Sequence, residues 1–163
     1  MKCIVKTMEE KEAKEVCKWN YEEVYDLYNM ESNEESIREL LNGTYYSVIS
    51  EDKELVGFFC FGQSAQVPAG NVYGVYSDDN YLDIGLGMKP NLCGQGGGIT
   101  FLNKGLEFAV KEFSKTKFRL TVAAFNERAI KVYENAGFKK ERVFQRKNVE
   151  NTLEFVTMRL TIE

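Results

Sequence analysis

Apolar positions recur every three to four residues in some stretches of this chain and alternate in others. Residues 3–6, CIVK, form a short apolar run that predicts a first strand. MEEKEAKEVCKWN then sets Ala13, Val16 and Cys17 at the helical period, which predicts a helix. YEEVYDLYNM, with Val24, Tyr25, Leu27 and Tyr28, continues as helix or loop. SNEESIRELLNG opens on capping-type residues and stops at Gly43, so a second helix is expected around 33–41. YYSVISEDKELVGFFCFG is two β-rich runs around the turn EDKE, a hairpin with strands near 45–50 and 54–62.

QSAQVPAGNVYGVYSDDN, with Pro68, Gly70 and Gly74, has the composition of a long loop. YLDIGLGMK alternates strictly: Leu82, Ile84, Leu86 and Met88 fall on one face, and Asp83, Gly85 and Gly87 on the other. Glycines along one strand face let a backbone or a ligand come close. After CGQGGG, the positions Ile99, Leu102, Leu106, Ala109, Val110 and Phe113 trace one helical stripe. KFRLTVAAF predicts a strand over 118–125. NERAIKVYENAGF predicts a helix that Asn126 caps and Gly137 ends in the left-handed conformation. FKKERVFQRK and TLEFVTMRLTIE close the chain as two paired strands. This order predicts a single mixed α/β (α+β) domain over residues 1–163 around one central sheet. Residues 82–124 read as strand–helix–strand, so their two strands are expected to be parallel with a right-handed crossover.

Composition narrows the functions this fold can serve. The 163 residues are 44% hydrophobic, and 21 basic against 25 acidic side chains leave a net charge of −4. A general nucleic-acid binder is not expected at that charge. No run approaches the roughly 18 apolar residues that suggest a membrane span, so no membrane partner is expected. Cys3, Cys17, Cys60 and Cys93 are scattered without a CxxC pair, which fits reduced thiols in the cytoplasm. There is no histidine. That excludes Ser/His/Asp and Cys/His nucleophilic sites and histidine-rich zinc sites, and no metal is expected. Acid–base work falls to Asp, Glu, Lys, Tyr, Cys, backbone or water.

The stretch Cys93-Gly94-Gln95-Gly96-Gly97-Gly98 places four glycines between a strand and a helix. The first turn of a helix carries N–H groups without intrahelical partners, and the helix dipole adds positive potential there. Gly94, Gly96, Gly97 and Gly98 remove the side chains that would hold a phosphate away, so the loop can cradle a pyrophosphate on main-chain amides. A Walker A loop needs GxxxxGK[ST], which is absent. The dinucleotide fingerprint GxGxxG fails as well: Ile99 or Phe101 occupies its last glycine. A tight strand-to-helix connection with no ligand is the competing reading of the loop taken alone.

A second constellation follows the next strand. Asn126, Ala129, Tyr133, Gly137 and Phe138 complete the pattern NxxAxxxYxxxGF. With the loop before it, this resembles the GNAT superfamily of acyl-CoA-dependent N-acetyltransferases, whose loop is [Q/R]xxGx[G/A]. The resemblance is firm over about 82–140 and follows element order elsewhere. Cys93 departs from it, standing where the family has Gln or Arg; Gln95 is a candidate substitute.

The resemblance implies acetyl-CoA as cosubstrate and a mostly antiparallel sheet with a splayed parallel pair. It implies that the pantetheine arm pairs with the strand at Leu86, Gly87 and Met88. The pyrophosphate would rest on amides around Gly94, Gln95, Gly96, Gly97, Gly98 and Ile99, and Asn126 would contact the cofactor arm. Tyr133 is the candidate proton donor to the departing thiolate, with packing in the helix–sheet core as its alternative. Alkylammonium groups titrate near 10, so roughly one in a thousand is free at neutral pH and a base is needed. Asp83, on the glycine face of its strand, is the candidate. The implied activity is acetyl transfer by direct attack to a small amine, an aminoglycoside-like molecule or a protein N-terminus, with a homodimer as the assembly that the family suggests. The alternative is a non-catalytic acyl-CoA-binding module.

Overall fold

Two short strands are held early by the hairpin that the sequence predicts. The computed structural model describes residues 2–23 and 25–163; Met1 and Val24 lie outside the described residues. Strand β1 (Cys3–Thr7) pairs antiparallel with β2 (Tyr45–Ser50), and β2 turns back into β3 (Leu55–Phe61). Helix α1 (Glu10–Lys18) buries Ala13, Val16 and Cys17, as its period requires. Its first turn is a reciprocal capping box: the Glu9 main-chain N–H donates to Glu12 Oε1 at 3.0 Å while the Glu9 side chain takes the N–H at the third helical position. Glu12 does more than cap. It is 3% exposed, and Lys6 Nζ at 3.0 Å and Ser47 Oγ at 3.4 Å donate to it.

Among its described residues, the stretch between α1 and residue 33 forms a 3-10 turn at Asp26–Tyr28. Helix α2 (Glu34–Leu40) then starts at Asn33, whose side chain accepts from Ser36 N at 2.8 Å, and it buries Leu40.

The chain groups into two compact units, each discontinuous in sequence. One comprises residues 1–60 and 86–97, the other 61–85 and 98–163. Strand β4 (Leu82–Met88) passes from the second into the first at Leu86. Strand order is β1-β2-β3-β4-β5-β7-β6, a mixed, mostly antiparallel sheet of seven strands flanked by helices. The pair formed by β4 and β5 (Lys117–Ala123) is parallel, as the strand–helix–strand order predicts. Its register covers Leu82↔Phe118 and Asp83↔Arg119, two residues of the seven in β4.

In the second unit the predicted long loop is largely ordered into two 3-10 helices, Gly62–Ala65 and Pro68–Tyr73. Pro68 starts the second because its ring presets the helical φ, and Gly74 at φ +68° ends it. Behind them Val75 and Tyr76 pack with Ala123, Phe144 and Phe155. Helix α3 (Gly98–Phe113) buries Phe101, Leu102, Leu106 and Ala109. Helix α4 (Glu127–Asn135) follows β5, and β6 (Lys139–Lys147) pairs antiparallel with β7 (Thr152–Thr161). Among the described residues no helix is long and apolar enough to cross a membrane.

Candidate active site

The glycine loop is built from its turns upward. Pro90–Leu92 form a short 3-10 turn after β4, closed by Cys93 N donating to Pro90 O at 3.2 Å. Gly94 and Gly96 then take φ of +74° and +81°, conformations that cost an L side chain about 1–2 kcal/mol. Nothing lies within 4 Å of where a Cβ on Gly96 would stand, so the loop is open on that side. Among the described residues, no acceptor takes the main-chain N–H of Gly96 or Gly97. Two adjacent main-chain donors without an acceptor fit an anion.

The side chains of the loop point elsewhere. Gln95 Nε2 donates to Asn91 O at 2.6 Å, which keeps the amide on the loop's own backbone. Cys93 Sγ lies 3.6 Å from both Met88 O and Lys89 O. Neither residue therefore replaces the missing Gln or Arg through its side chain; what the loop offers is main chain. Gly98 and Ile99 open α3 in the second unit. Gly98 has a packing reason to be glycine, because a Cβ there would stand 3.1 Å from Val132 Cγ2 of α4.

In the first unit, Leu86, Gly87 and Met88 end β4. Gly87 is where the Phe58 ring approaches the strand: an added Cβ would meet Phe58 Cε2 at 2.4 Å. Phe58 is fixed in turn by Trp19, stacked at 6.2 Å between centroids, and by Tyr45 at 6.0 Å. Gly87→Ala should therefore destabilise the protein by about 1–3 kcal/mol through overpacking, read as a lowered urea midpoint.

In the second unit, the NxxAxxxYxxxGF pattern resolves into two helix ends. Asn126 caps α4: its Oδ1 accepts from Ala129 N at 3.1 Å. At the other end Phe138 N donates to Tyr133 O at 2.9 Å and Gly137 N to Glu134 O at 3.0 Å, with Gly137 at φ +105°. That is a Schellman motif, and it explains why a glycine and a phenylalanine stand four and five residues beyond the tyrosine. Tyr133 is half-buried, its ring edge-on to Phe138 at 6.2 Å.

Asp83 has a different setting from the one its strand face suggests. It is 3% exposed, and Arg119, its register partner in β5, is 1% exposed. Arg119 Nε reaches Asp83 Oδ1 and Nη2 reaches Oδ2, both at 2.8 Å, and Gln66 Nε2 adds a third donor at 2.9 Å. A carboxylate held at both oxygens inside the sheet is poorly placed to take a proton from a substrate amine; its alternation with glycines reflects strand geometry. Arg119 itself, in KFRLTVAAF, was the readable signal: a lone cation in an apolar strand needs an anion on its neighbour. Tyr76 belongs to the same surroundings, sharing a hydrogen with Thr121 Oγ1 at 2.7 Å and accepting from Val67 N at 2.9 Å. Burial pushes its hydroxyl pKa up.

A hollow of about 460 Å³ in the first unit is lined by Met30, Glu31, Asn33, Glu35, Ser36 and Glu39. Three of these six are carboxylates.

The mixed seven-stranded sheet, the parallel pair running into a glycine loop, and the helix closed by Tyr-x-x-x-Gly-Phe define an enzyme class, the acetyltransferases. The chain belongs to the acetyltransferase (GNAT) family, whose model matches residues 12–138. Its fold is similar to a chimera of the spermidine N-acetyltransferase SpeG of Vibrio cholerae, at 17% identity over 99% of this chain and 96% of that one, with a TM-score of 0.74. A GNAT-family acetyltransferase of Bacillus anthracis is also similar, at 17% identity, 99% and 95% coverage and a TM-score of 0.70. So is the dodecameric spermidine N-acetyltransferase of Vibrio cholerae, at 17% identity, 98% and 93% coverage and a TM-score of 0.69. At such identities the likeness shows the fold and not the substrate. Among curated proteins none matches this chain.

Proposed function

We propose that residues 1–163 act as one N-acetyltransferase domain, moving an acetyl group from acetyl-CoA to an amine by direct attack. The observation that carries this reading is the adjacent pair of main-chain donors at Gly96 and Gly97 that no acceptor takes among the described residues. Bound acetyl-CoA would supply a thioester carbonyl for the amine to attack. Gly94 to Ile99 hold the pyrophosphate through their amides, and Leu86 to Met88 offer backbone to the pantetheine arm. Asn126 orders the start of α4 and is placed by resemblance on the cofactor arm. Tyr133 keeps a proton at its hydroxyl for the departing sulfur. With both oxygens of Asp83 committed to Arg119 and Gln66, the amine loses its proton to solvent.

The acidic lining of the hollow at 30–39 supports a cationic acceptor, a small polyvalent amine before a protein N-terminus. The similar spermidine enzymes act on such an amine, which fits the same reading.

The test is an amine panel with acetyl-CoA, followed by released CoA thiol and by the mass of the product. Turnover on at least one cationic amine is expected. Cofactor binding with no turnover across the panel would favour the non-catalytic acyl-CoA module. Native mass spectrometry of the purified protein reports both retained CoA and whether the chain is a homodimer. Gly96→Asp should raise the acetyl-CoA Kd at least about tenfold, because it strains a positive-φ position and sets a carboxylate against phosphate. Unchanged affinity by calorimetry would move the phosphate site off the loop.

A further inference from the structure

One carbonyl at the end of β4 gathers donors from two distant parts of the first unit. Tyr21 Oη donates to Met88 O at 2.7 Å, across 67 residues of sequence. Cys93 Sγ stands 3.6 Å from the same oxygen and 3.6 Å from Lys89 O, at the first residue of the glycine loop. The segment that carries Tyr21 is itself pinned. Tyr21 N donates to Asn29 Oδ1 at 2.7 Å, Asn29 Nδ2 donates to Asn20 Oδ1 at 2.9 Å, and the Tyr28 ring meets the Tyr21 ring edge-on at 6.3 Å. From the strand side, Lys89 N donates to Val56 O at 2.9 Å.

We infer that Tyr21 and Cys93 are positioning residues: together they clamp the Met88 carbonyl and so fix the end of β4 and the start of the glycine loop for the cofactor. A carbonyl oxygen has two lone pairs, and here a hydroxyl donates to it at 2.7 Å with a thiol 3.6 Å away. Met88 O is therefore filled from within the protein. A pantetheine arm pairing with this strand end must use other groups, such as the Leu86 carbonyl. The departure at position 93 gains a purpose as well. Gln or Arg would reach outward to a phosphate, whereas the short thiol turns back onto the strand that precedes the loop. Burial pushes the Tyr21 hydroxyl pKa well up, with the nearby Cys93 thiol adding to it, so the group stays a donor throughout the working pH range.

The affinity part of this inference rests on the acetyl-CoA reading; the ordering part does not. The variants are Tyr21→Phe, which keeps the ring and loses the hydroxyl, and the pair Cys93→Ala and Cys93→Ser. Hydrogen exchange of the hydrogen-bonded amides of Lys89, Leu92 and Cys93, at the start of the loop, is measured in the ligand-free protein beside acetyl-CoA Kd, KM and kcat.

In Tyr21→Phe, exchange of the Lys89, Leu92 and Cys93 amides, which donate to Val56 O, Lys89 O and Pro90 O, should quicken by roughly threefold to tenfold, the worth of one hydrogen bond, while β2 amides keep their rates. The acetyl-CoA Kd and KM should rise by a similar factor, with the change falling on KM rather than kcat. Cys93→Ala should repeat the effect more weakly, and Cys93→Ser, which keeps a donor, should restore it. Loop exchange unchanged in both Tyr21→Phe and Cys93→Ala overturns the clamp. So does a rise spread equally over the whole unit, which would mean simple destabilisation. Faster loop exchange with no acetyl-CoA binding even in the unaltered protein would uphold the clamp and sink the cofactor reading instead.

Discussion

Tyr133→Phe should bind acetyl-CoA as tightly as the unaltered protein and turn over about 10²–10⁴ times more slowly, the usual worth of a positioned proton donor. The substitution keeps the α4 end intact for a structural reason. The α4 end is held by main-chain bonds from Phe138 N to Tyr133 O and from Gly137 N to Glu134 O, none of which uses the hydroxyl. The ring contact with Phe138 also survives, since phenylalanine keeps the ring. The two readouts are calorimetric Kd and kcat on the best amine from the panel. A rate within a factor of about three of the original would assign the proton to water and leave Tyr133 a core aromatic. A weakened Kd would make the hydroxyl a cofactor ligand.

Arg119→Met should cost about 3–5 kcal/mol of stability, the largest structural effect expected from one change in this chain. Both partners lie inside the second unit, at 1% and 3% exposure, and the pair is bidentate. Removing the cation leaves a carboxylate with only the Gln66 amide among its side-chain partners there, and solvent cannot reach it. The Tyr76 ring also loses the guanidinium 5.2 Å from its centre. Replacing both partners, as Arg119→Met with Asp83→Leu, should recover most of the loss, because a buried ion pair is offset by the desolvation of its members. Urea unfolding of the two single variants and the double variant gives the coupling directly. A single-variant loss below about 1 kcal/mol would mean that water enters the site.

Much of the architecture was legible because its signals are local. The period of three to four residues located α1 and α3, and alternation located β4. Asn126 and Gly137 bracketed a helix whose caps form as their chemistry requires. The 63–80 segment read as loop because 3-10 turns are too short to show a period; their order comes from Tyr76, Val75 and the aromatic residues behind them. Glu12 and Arg119 are buried charges that the periodicity does not mark; Arg119 is held by Asp83, 36 positions away, and Glu12 by Lys6 and by Ser47, 35 positions away.

The same distinction separates the two halves of the candidate site. Glycine spacing and the NxxAxxxYxxxGF pattern determined the family and the local backbone of the loop and of the α4 ends, because φ and capping depend on residues next to one another. Only the tertiary structure decided what Asp83, Gln95 and Cys93 do. A side chain's role is set by the acceptor or donor that folding brings within 3–4 Å, and for Asp83 that partner, Arg119, lies 36 positions along the chain.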